Sequence, residues 1–394
     1  MIDASLDGSP RPSRTLPRPP ARGKRSAPIR WAVVGLGHIA QAAVLPAFRN
    51  ARRNSRLVAL VSGHGEKADK LAARYRVERP GGYRDFETIL RDAAVDAVYL
   101  ALPNDQHAEF VIRAANAGVH VLCEKPLAVD SAECERMIAA ARANRVWLMT
   151  AYRLHFEEAN LRAIEAAVRG RLGETRQVHA LFSMTVRDED NIRLRSRARG
   201  GGPVYDLGIY CINAARYLFR AEPEAVAAVA RRAGTAAGDP RSADTVSAIV
   251  TFPAQRVATF TASFAVAPVS EFRVVGTEGD LRVENAFEYD QPIRHWLTRG
   301  GKTRKTTFKR RDQFAPELLY FADCILQDRE PEPSGIEGLA DVRVVEAIYR
   351  SIETGAAVEL GAFTKRRRPH LRQELRRPPV GKARVVGAKA PSAR

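Results

Sequence analysis

The sequence predicts an α/β protein, with an N-terminal doubly wound parallel sheet and a C-terminal α+β domain built on a large, mostly antiparallel sheet. Three observations point there. Short apolar runs alternate with helical stretches from Ile29 to about Thr150. A glycine-rich turn, Gly35-Leu36-Gly37, separates the first such run from the first helix. Beyond residue 151 the alternation gives way to strand-like runs joined by short turns. Strands separated by helices pair in parallel because each needs a crossover, whereas strands joined by tight turns pair antiparallel.

In the first half, strands are expected at Ile29–Val34, Arg56–Ser62, Val95–Leu102, His120–Cys123 and Val146–Thr150. Helices are expected near His38–Asn50, Glu66–Tyr75, Gln106–Ala117 and Ser131–Asn144. The second half opens with an expected helix, Glu157–Arg169, stopped by Gly170 and Gly173. A strand at Thr175–Val186, a polar loop to Gly202 and a helix at Pro203–Phe219 follow. Strands are then expected at Ala225–Arg231, Thr245–Phe252, Arg256–Phe264, Glu271–Gly276 and Asp280–Glu284, and helices at Gln313–Gln327 and Ile336–Thr354. The expected organisation is an arm over 1–28, a dinucleotide-binding domain over 29–151, a substrate and oligomerisation domain over 152–360, and a tail over 361–394.

The 394 residues are comfortable for two domains. The formal charge is +18, but residues 1–30 carry +5 and residues 361–394 carry +10, which leaves +3 for the body. That distribution argues against a DNA-binding body. Both ends read as flexible and solvated: the first is rich in Pro and Arg, the second in Lys and Arg. Salt-sensitive nucleic-acid binding through the tails is the minor alternative. The four cysteines, at 123, 134, 211 and 324, form no C-x-x-C pair. They suggest a reduced, cytoplasmic protein with no zinc site. No run of 18 apolar residues suggests a membrane span, and no apolar segment before residue 30 suggests a secretory signal.

Gly35-Leu36-Gly37-His38-Ile39-Ala40 is G-x-G-x-x-A between a strand and a helix. Gly35 permits the tight turn, Gly37 lets the backbone approach a pyrophosphate, and Ala40 lets helix and strand pack closely. The free N–H groups and positive dipole end of the helix then face the phosphates. This is the Rossmann arrangement. The next strand ends in Ser62-Gly63-His64, where an enzyme using NAD usually carries an acid for the ribose 2′-OH. Ser62 and Lys67 suit a 2′-phosphate instead, so NADP is expected rather than NAD.

Ligands of open α/β sheets bind beyond the carboxyl ends of the strands. Leu102-Pro103-Asn104, with His107 close behind, and Glu124-Lys125-Pro126 stand at two such ends. In the second domain Asp206 and Tyr210 lie at i, i+4 on one face of a helix, preceded by Gly200-Gly201-Gly202.

These motifs, with Tyr152-Arg153-Leu154-His155 and Gly338-Leu339-Ala340-Asp341-Val342-Arg343, resemble the Gfo/Idh/MocA oxidoreductase family over about residues 29–360, and within it the glucose–fructose oxidoreductase type. The resemblance implies a catalytic centre of Lys125, Asp206 and Tyr210. It implies cofactor or substrate contacts from Gly35, Gly37, His38, Ile39, Ala40, Ser62, Lys67, Tyr83, Leu102, Pro103, Asn104, His107, Glu124, Lys125, Arg153 and Arg193, with no metal. It also implies a homodimer or homotetramer formed through the faces of the second-domain sheet, and an arm, residues 1–28, that helps bury NADP in a neighbouring subunit.

The expected reaction is hydride transfer between a sugar and the nicotinamide. Tyr210 would be the acid/base, Lys125 would stand beside it to compensate charge on its oxygen, and Asp206 would orient Lys125 or the sugar. Three readings stay open: an NADP retained and recycled between two sugars; a freely exchanging aldose, anhydrosugar or dihydrodiol dehydrogenase; and a non-catalytic NADP- or sugar-sensing regulator.

Overall fold

A computed structural model describes residues 28–231 and 243–390. The N-terminal arm, with the clasping role expected of it, lies outside the described residues.

The first sheet contains β1 (Ile29–Val34), β2 (Ser55–Val61), β3 (Arg79–Gly81), β4 (Ala97–Leu100), β5 (His120–Glu124) and β6 (Leu148–Ala151). All pairs are parallel, in the order β3-β2-β1-β4-β5-β6. The chain reverses its direction of winding between β1 and β4, which opens a crevice at their carboxyl ends. Helices α1 (Leu45–Ala47), α2 (Gly65–Tyr75), α3 (Phe86–Asp92), α4 (His107–Asn116) and α5 (Ser131–Ala143) provide the crossovers. Asp130 caps α5 by accepting the Glu133 N–H at 2.7 Å. The helix expected at His38–Asn50 is present from His38 to Ala47, but its middle, Ala40–Val44, is π-wound before the short α1. Apolar spacing cannot separate these windings.

The second sheet is formed by β7 (Thr175–Thr185), β8 (Ala225–Arg231), β9 (Thr245–Phe252), β10 (Arg256–Ser263), β11 (Ala265–Gly276), β12 (Gly279–Glu284), β13 (Ile293–Arg299), β14 (Lys302–Phe308) and β15 (Val358–Glu359), in the order β14-β13-β12-β11-β7-β10-β9-β8-β15. Among the described residues only the β7–β10 pair of this sheet is parallel. The alternation in β9 is typical: Val246, Ala248, Val250 and Phe252 face a core shared with α6 (Glu158–Val168) and α7 (Ile209–Phe219), while Ile249 on the other face is half exposed. The β13–β14 hairpin was not expected; its edge strand Lys-Thr-Arg-Lys-Thr-Thr is all exposed and has no apolar face to read.

Two C-terminal helices tie the domains together. α8 (Ala315–Leu326) follows the second sheet in sequence but packs on the first, where Phe321 lies 5.9 Å from Trp31 between ring centroids. α9 (Gly335–Thr354) places Leu339 and Val342 in one core of the first domain and Val344, Val345 and Ile348 in that of the second. No helix among the described residues is long and apolar enough to cross a membrane.

The basic tail lies against the body, where the sequence predicts a solvated, flexible end. The reason is a buried ionic cluster. Lys365 Nζ lies 2.6 Å from both Glu332 Oε1 and Glu337 Oε2, and Arg368 pairs with Glu222 at 2.6 Å. Arg216, fully buried, shares Glu222, Glu337 and Asp341. Removing one partner of a buried pair leaves an uncompensated charge. Lys365→Met is therefore expected to lower unfolding stability by about 3 kcal/mol in a denaturant titration. A change within about 0.5 kcal/mol, as for a surface residue, would contradict a docked tail.

Candidate active site

The crevice between β1 and β4 begins at Gly35. Its φ is +87°, and a Cβ there would lie 2.4 Å from the Ala101 carbonyl oxygen, so the turn requires glycine. A Cβ on Gly37 would meet nothing within 4 Å. Gly37, His38 and Ile39 are half-buried, and Ala40 is buried against the sheet. The turn thus presents open backbone at a helical start, a cradle that fits a pyrophosphate. The His38 imidazole is held below its ordinary pKa by burial and by Arg193, which reaches it from the second domain.

At the end of β2, Ser62 is nearly buried and its Oγ accepts the His64 N–H at 3.1 Å. Its own O–H is left to donate. Lys67 is half-buried in the first turn of α2. The Tyr83 ring lies against Gly63, where a Cβ would come within 3.0 Å of it. Ser62, Lys67 and Tyr83 thus frame one end of the crevice.

Beyond β4, half-exposed Pro103 and buried Leu102 lead to Asn104, whose Nδ2 donates to the Gly200 carbonyl at 2.7 Å. Asn104 thereby docks the second domain's glycine loop. His107 is fully buried. Its ring nitrogens lie 2.9 Å from the Pro126 carbonyl oxygen and 3.0 Å from that of Leu102. It is not exposed to a ligand in the crevice, as the sequence reading had it; it ties together the loops after β4 and β5.

Those loops position the candidate catalytic side chains. Glu124 ends β5 and accepts the Tyr99 O–H at 2.7 Å. Burial pushes its carboxyl up, against the opposing pull of Lys125. Lys125 crosses to the second domain, where its Nζ donates to the Asp206 carbonyl at 2.9 Å and lies 3.4 Å from Oδ1. Arg193 Nε holds the other carboxylate oxygen at 2.6 Å. Asp206 lies in a π-helical turn, Val204–Gly208, that runs into α7, and Tyr210 follows one turn later. Such turns are often found at functional sites.

Lys125 and Tyr210 do meet, but not through the phenol oxygen. Lys125 Nζ lies over the ring face, 4.5 Å from its centroid. The oxygen is held by Arg153, whose Nη2 lies 3.3 Å from Tyr210 Oη. Arg153 is buried and is itself fixed by the Phe287 carbonyl and the Gln313 side chain. The clamp from Phe287 and Gln313 went unread in the sequence, because a backbone carbonyl and a lone Gln carry no motif. Lys125, Asp206, Arg193, Tyr210 and Arg153 therefore form one connected group at the crevice, suited to holding a polar substrate and moving a proton at Oη.

Asp206 shows how the group is balanced. Burial by itself would raise its carboxyl, but Arg193 and Lys125 outweigh burial and hold it below the ordinary Asp value. The ionised form, and the stability it contributes, are therefore present above the ordinary Asp pKa and are lost as pH falls through the depressed value. Arg193→Met is expected to move the Asp206 midpoint to higher pH in a carboxyl NMR titration. An unchanged midpoint would remove Arg193 from this balance.

Comparison with known proteins matches both halves of the chain. Residues 29–152 match a family model described as an oxidoreductase family with an NAD-binding Rossmann fold, and residues 161–282 match the GFO/IDH/MocA C-terminal domain. The chain is 34% identical over 342 residues to a D-xylose 1-dehydrogenase [NADP(+)] of Haloarcula marismortui, covering 84% of this chain and 93% of the relative. Human trans-1,2-dihydrobenzene-1,2-diol dehydrogenase is 30% identical over 65% of this chain and 75% of its own length. Among solved structures, aldose-aldose oxidoreductase from Caulobacter crescentus complexed with glycerol superposes with a TM-score of 0.79 at 37% identity, covering 84% of this chain and 100% of that one.

Proposed function

The chain belongs to the Gfo/Idh/MocA oxidoreductase family, and from that premise we propose that it oxidises an aldose at C1 with NADP. It is an NAD(P)-dependent oxidoreductase acting on a sugar CH–OH group. The observation that carries the finer reading is the convergence of Lys125, Asp206, Tyr210 and Arg153 at the end of β5. An aldose is favoured because two of the relatives named above act on aldoses by name. The glucose–fructose type suggested by the sequence is a narrower form of the same reading, in which a retained cofactor passes between two sugars.

NADP is preferred over NAD because β2 ends in a serine with Lys67 nearby, and because a relative is named for that cofactor. The open turn from Gly35 to Ala40 would hold the pyrophosphate, and Ser62, Lys67 and Tyr83 the adenosine end. When bound, NADP supplies the acceptor for the hydride leaving the sugar carbon. The chain's own residues do the rest. Tyr210, as the phenolate whose charge Arg153 meets, takes the C1 hydroxyl proton at Oη and becomes the neutral phenol as the C1 hydrogen leaves as hydride. Lys125, held by Asp206 over the Tyr210 ring face, presents its ammonium to the sugar hydroxyl beside Oη. Arg193 fixes Asp206 from its outer side and closes that wall of the site.

Saturating NADP with D-xylose or D-glucose should produce the absorbance of reduced nicotinamide; no rise with any aldose tried would refute the reading. Tyr210→Phe is expected to bind NADP normally while kcat falls by about 10²–10⁴, the usual worth of a positioned proton transfer. Near-parental kcat would remove Tyr210 from that role.

The proposal includes self-association. The outer face of the second sheet exposes Val229 and Ile249 at 57% and 52%, apolar surface that water disfavours. Sedimentation is expected to report a dimer or tetramer of the 43.4 kDa chain. A monomer at micromolar concentration would contradict it.

A further inference from the structure

Beyond the anchor at Lys365, the tail follows one continuous path across the first domain. The Asp312 N–H donates to the Arg377 carbonyl at 3.2 Å, Asn50 Nδ2 to that of Pro378 at 2.8 Å, and Arg310 Nη2 to that of Val380 at 2.6 Å. Arg74, at the end of α2, donates to the Arg384 carbonyl at 2.5 Å. The chain then reaches the crevice. Gln41 is 1% exposed and lies four residues past Gly37; its Nε2 donates to the Val386 carbonyl at 2.9 Å and its Oε1 accepts the Val386 N–H at 2.7 Å. A buried amide needs its partners, and here the tail supplies two of them. Gly387 lies against Lys67: a Cβ on it would stand 3.2 Å from Lys67 Cε and 3.9 Å from Nζ. Lys389 ends the path on Asp188, in the second-domain loop that leads to Arg193, at 3.0 Å.

Residues 384–389 therefore run from the end of α2, past Gln41 beside the glycine turn and the lysine assigned to the 2′-phosphate, to the opposite domain. Residues 382–389 carry Lys382, Arg384 and Lys389 and no acid, whereas Arg376, upstream of the strap, is paired with Glu158 and Glu374. A cation-bearing strand over that end of the crevice suits a ligand with three phosphoryl groups. Gly387, with φ +54°, adds no side chain between Lys67 and that ligand.

We propose that residues 382–389 complete the nucleotide site as a strap over the 2′-phosphate and pyrophosphate end of NADP, slowing its release. The inference rests on the NADP reading above. Its test is the dissociation rate of NADPH, followed by fluorescence after displacement with excess NADP, for the full chain and for a chain ending at Gly381. The shorter chain keeps the Lys365–Val380 anchors, and matched melting curves without cofactor check that it folds. Loss of the strap is expected to speed NADPH release by about tenfold or more, in the off-rate, where most affinity differences appear. Lys389→Glu in the full chain is expected to change the rate in the same direction by less. Equal rates from the two chains, or tighter binding by the shorter one, would overturn the strap. Repeating the measurement with NADH separates the two readings. A full chain that holds NADH more tightly than NADPH contradicts the NADP assignment, whereas equal off-rates contradict the strap with either cofactor.

Discussion

The contact between Lys125 and Asp206 joins the two halves of the molecule at the point where chemistry is possible. Its partners are 81 residues apart, one at the end of a parallel strand and the other in a π-helical turn. Lys125 holds both the backbone carbonyl and the carboxylate of Asp206, so turn and side chain are fixed together. Arg193 takes the second carboxylate oxygen, and two cations around one acid leave net positive charge facing the crevice. A carboxylate largely withdrawn from water, as Asp206 is, is stabilised by being paired in this way. Tyr210 is then placed by the helix that starts from the same turn. The domains are locked behind this point by α9, which contributes to both cores, and by the Asn104–Gly200 contact in front of it.

A second ionic centre supports the first from behind. Arg216, Glu337 and Asp341 are buried together, and Asn213 donates to both acids at 2.8 and 2.7 Å while its Oδ1 lies 2.9 Å from His155 Nε2. His155 belongs to the same short segment as Arg153, which holds the Tyr210 oxygen. Lys365 enters this cluster from the tail. The tail is thus built into the structure that positions Tyr210, and the same segment continues to the glycine-turn end of the crevice.

Much of this was legible because it rests on local spacing. β1 and the G-x-G-x-x-A turn can be read from six or seven adjacent residues, and Asp206 and Tyr210 from a helical repeat. The α+β second half was legible wherever strands alternate, as in β9. What escaped depends on contacts distant in sequence or on patterns with no apolar signal. The tail has the composition of a disordered end, and the acids that bury Lys365 lie about thirty residues upstream. Helix α8 follows the second sheet in the chain yet covers the first. Lys125 was expected beside Tyr210, but sequence cannot say that it would lie on the ring face while Arg153 took the oxygen. Gln41 left one faint sign, a polar residue among alanines just after the glycine turn.

The reaction proposed for this site is hydride transfer from an aldose carbon, organised by Lys125, Asp206 and Tyr210. Its most direct test uses an aldose deuterated at C1, incubated with the protein and NADP, followed by mass analysis of the recovered cofactor. Deuterium in the reduced NADP, together with slower turnover than with the protiated sugar, is the expected result. Cofactor that binds but recovers no deuterium from any C1-labelled aldose would contradict the claim.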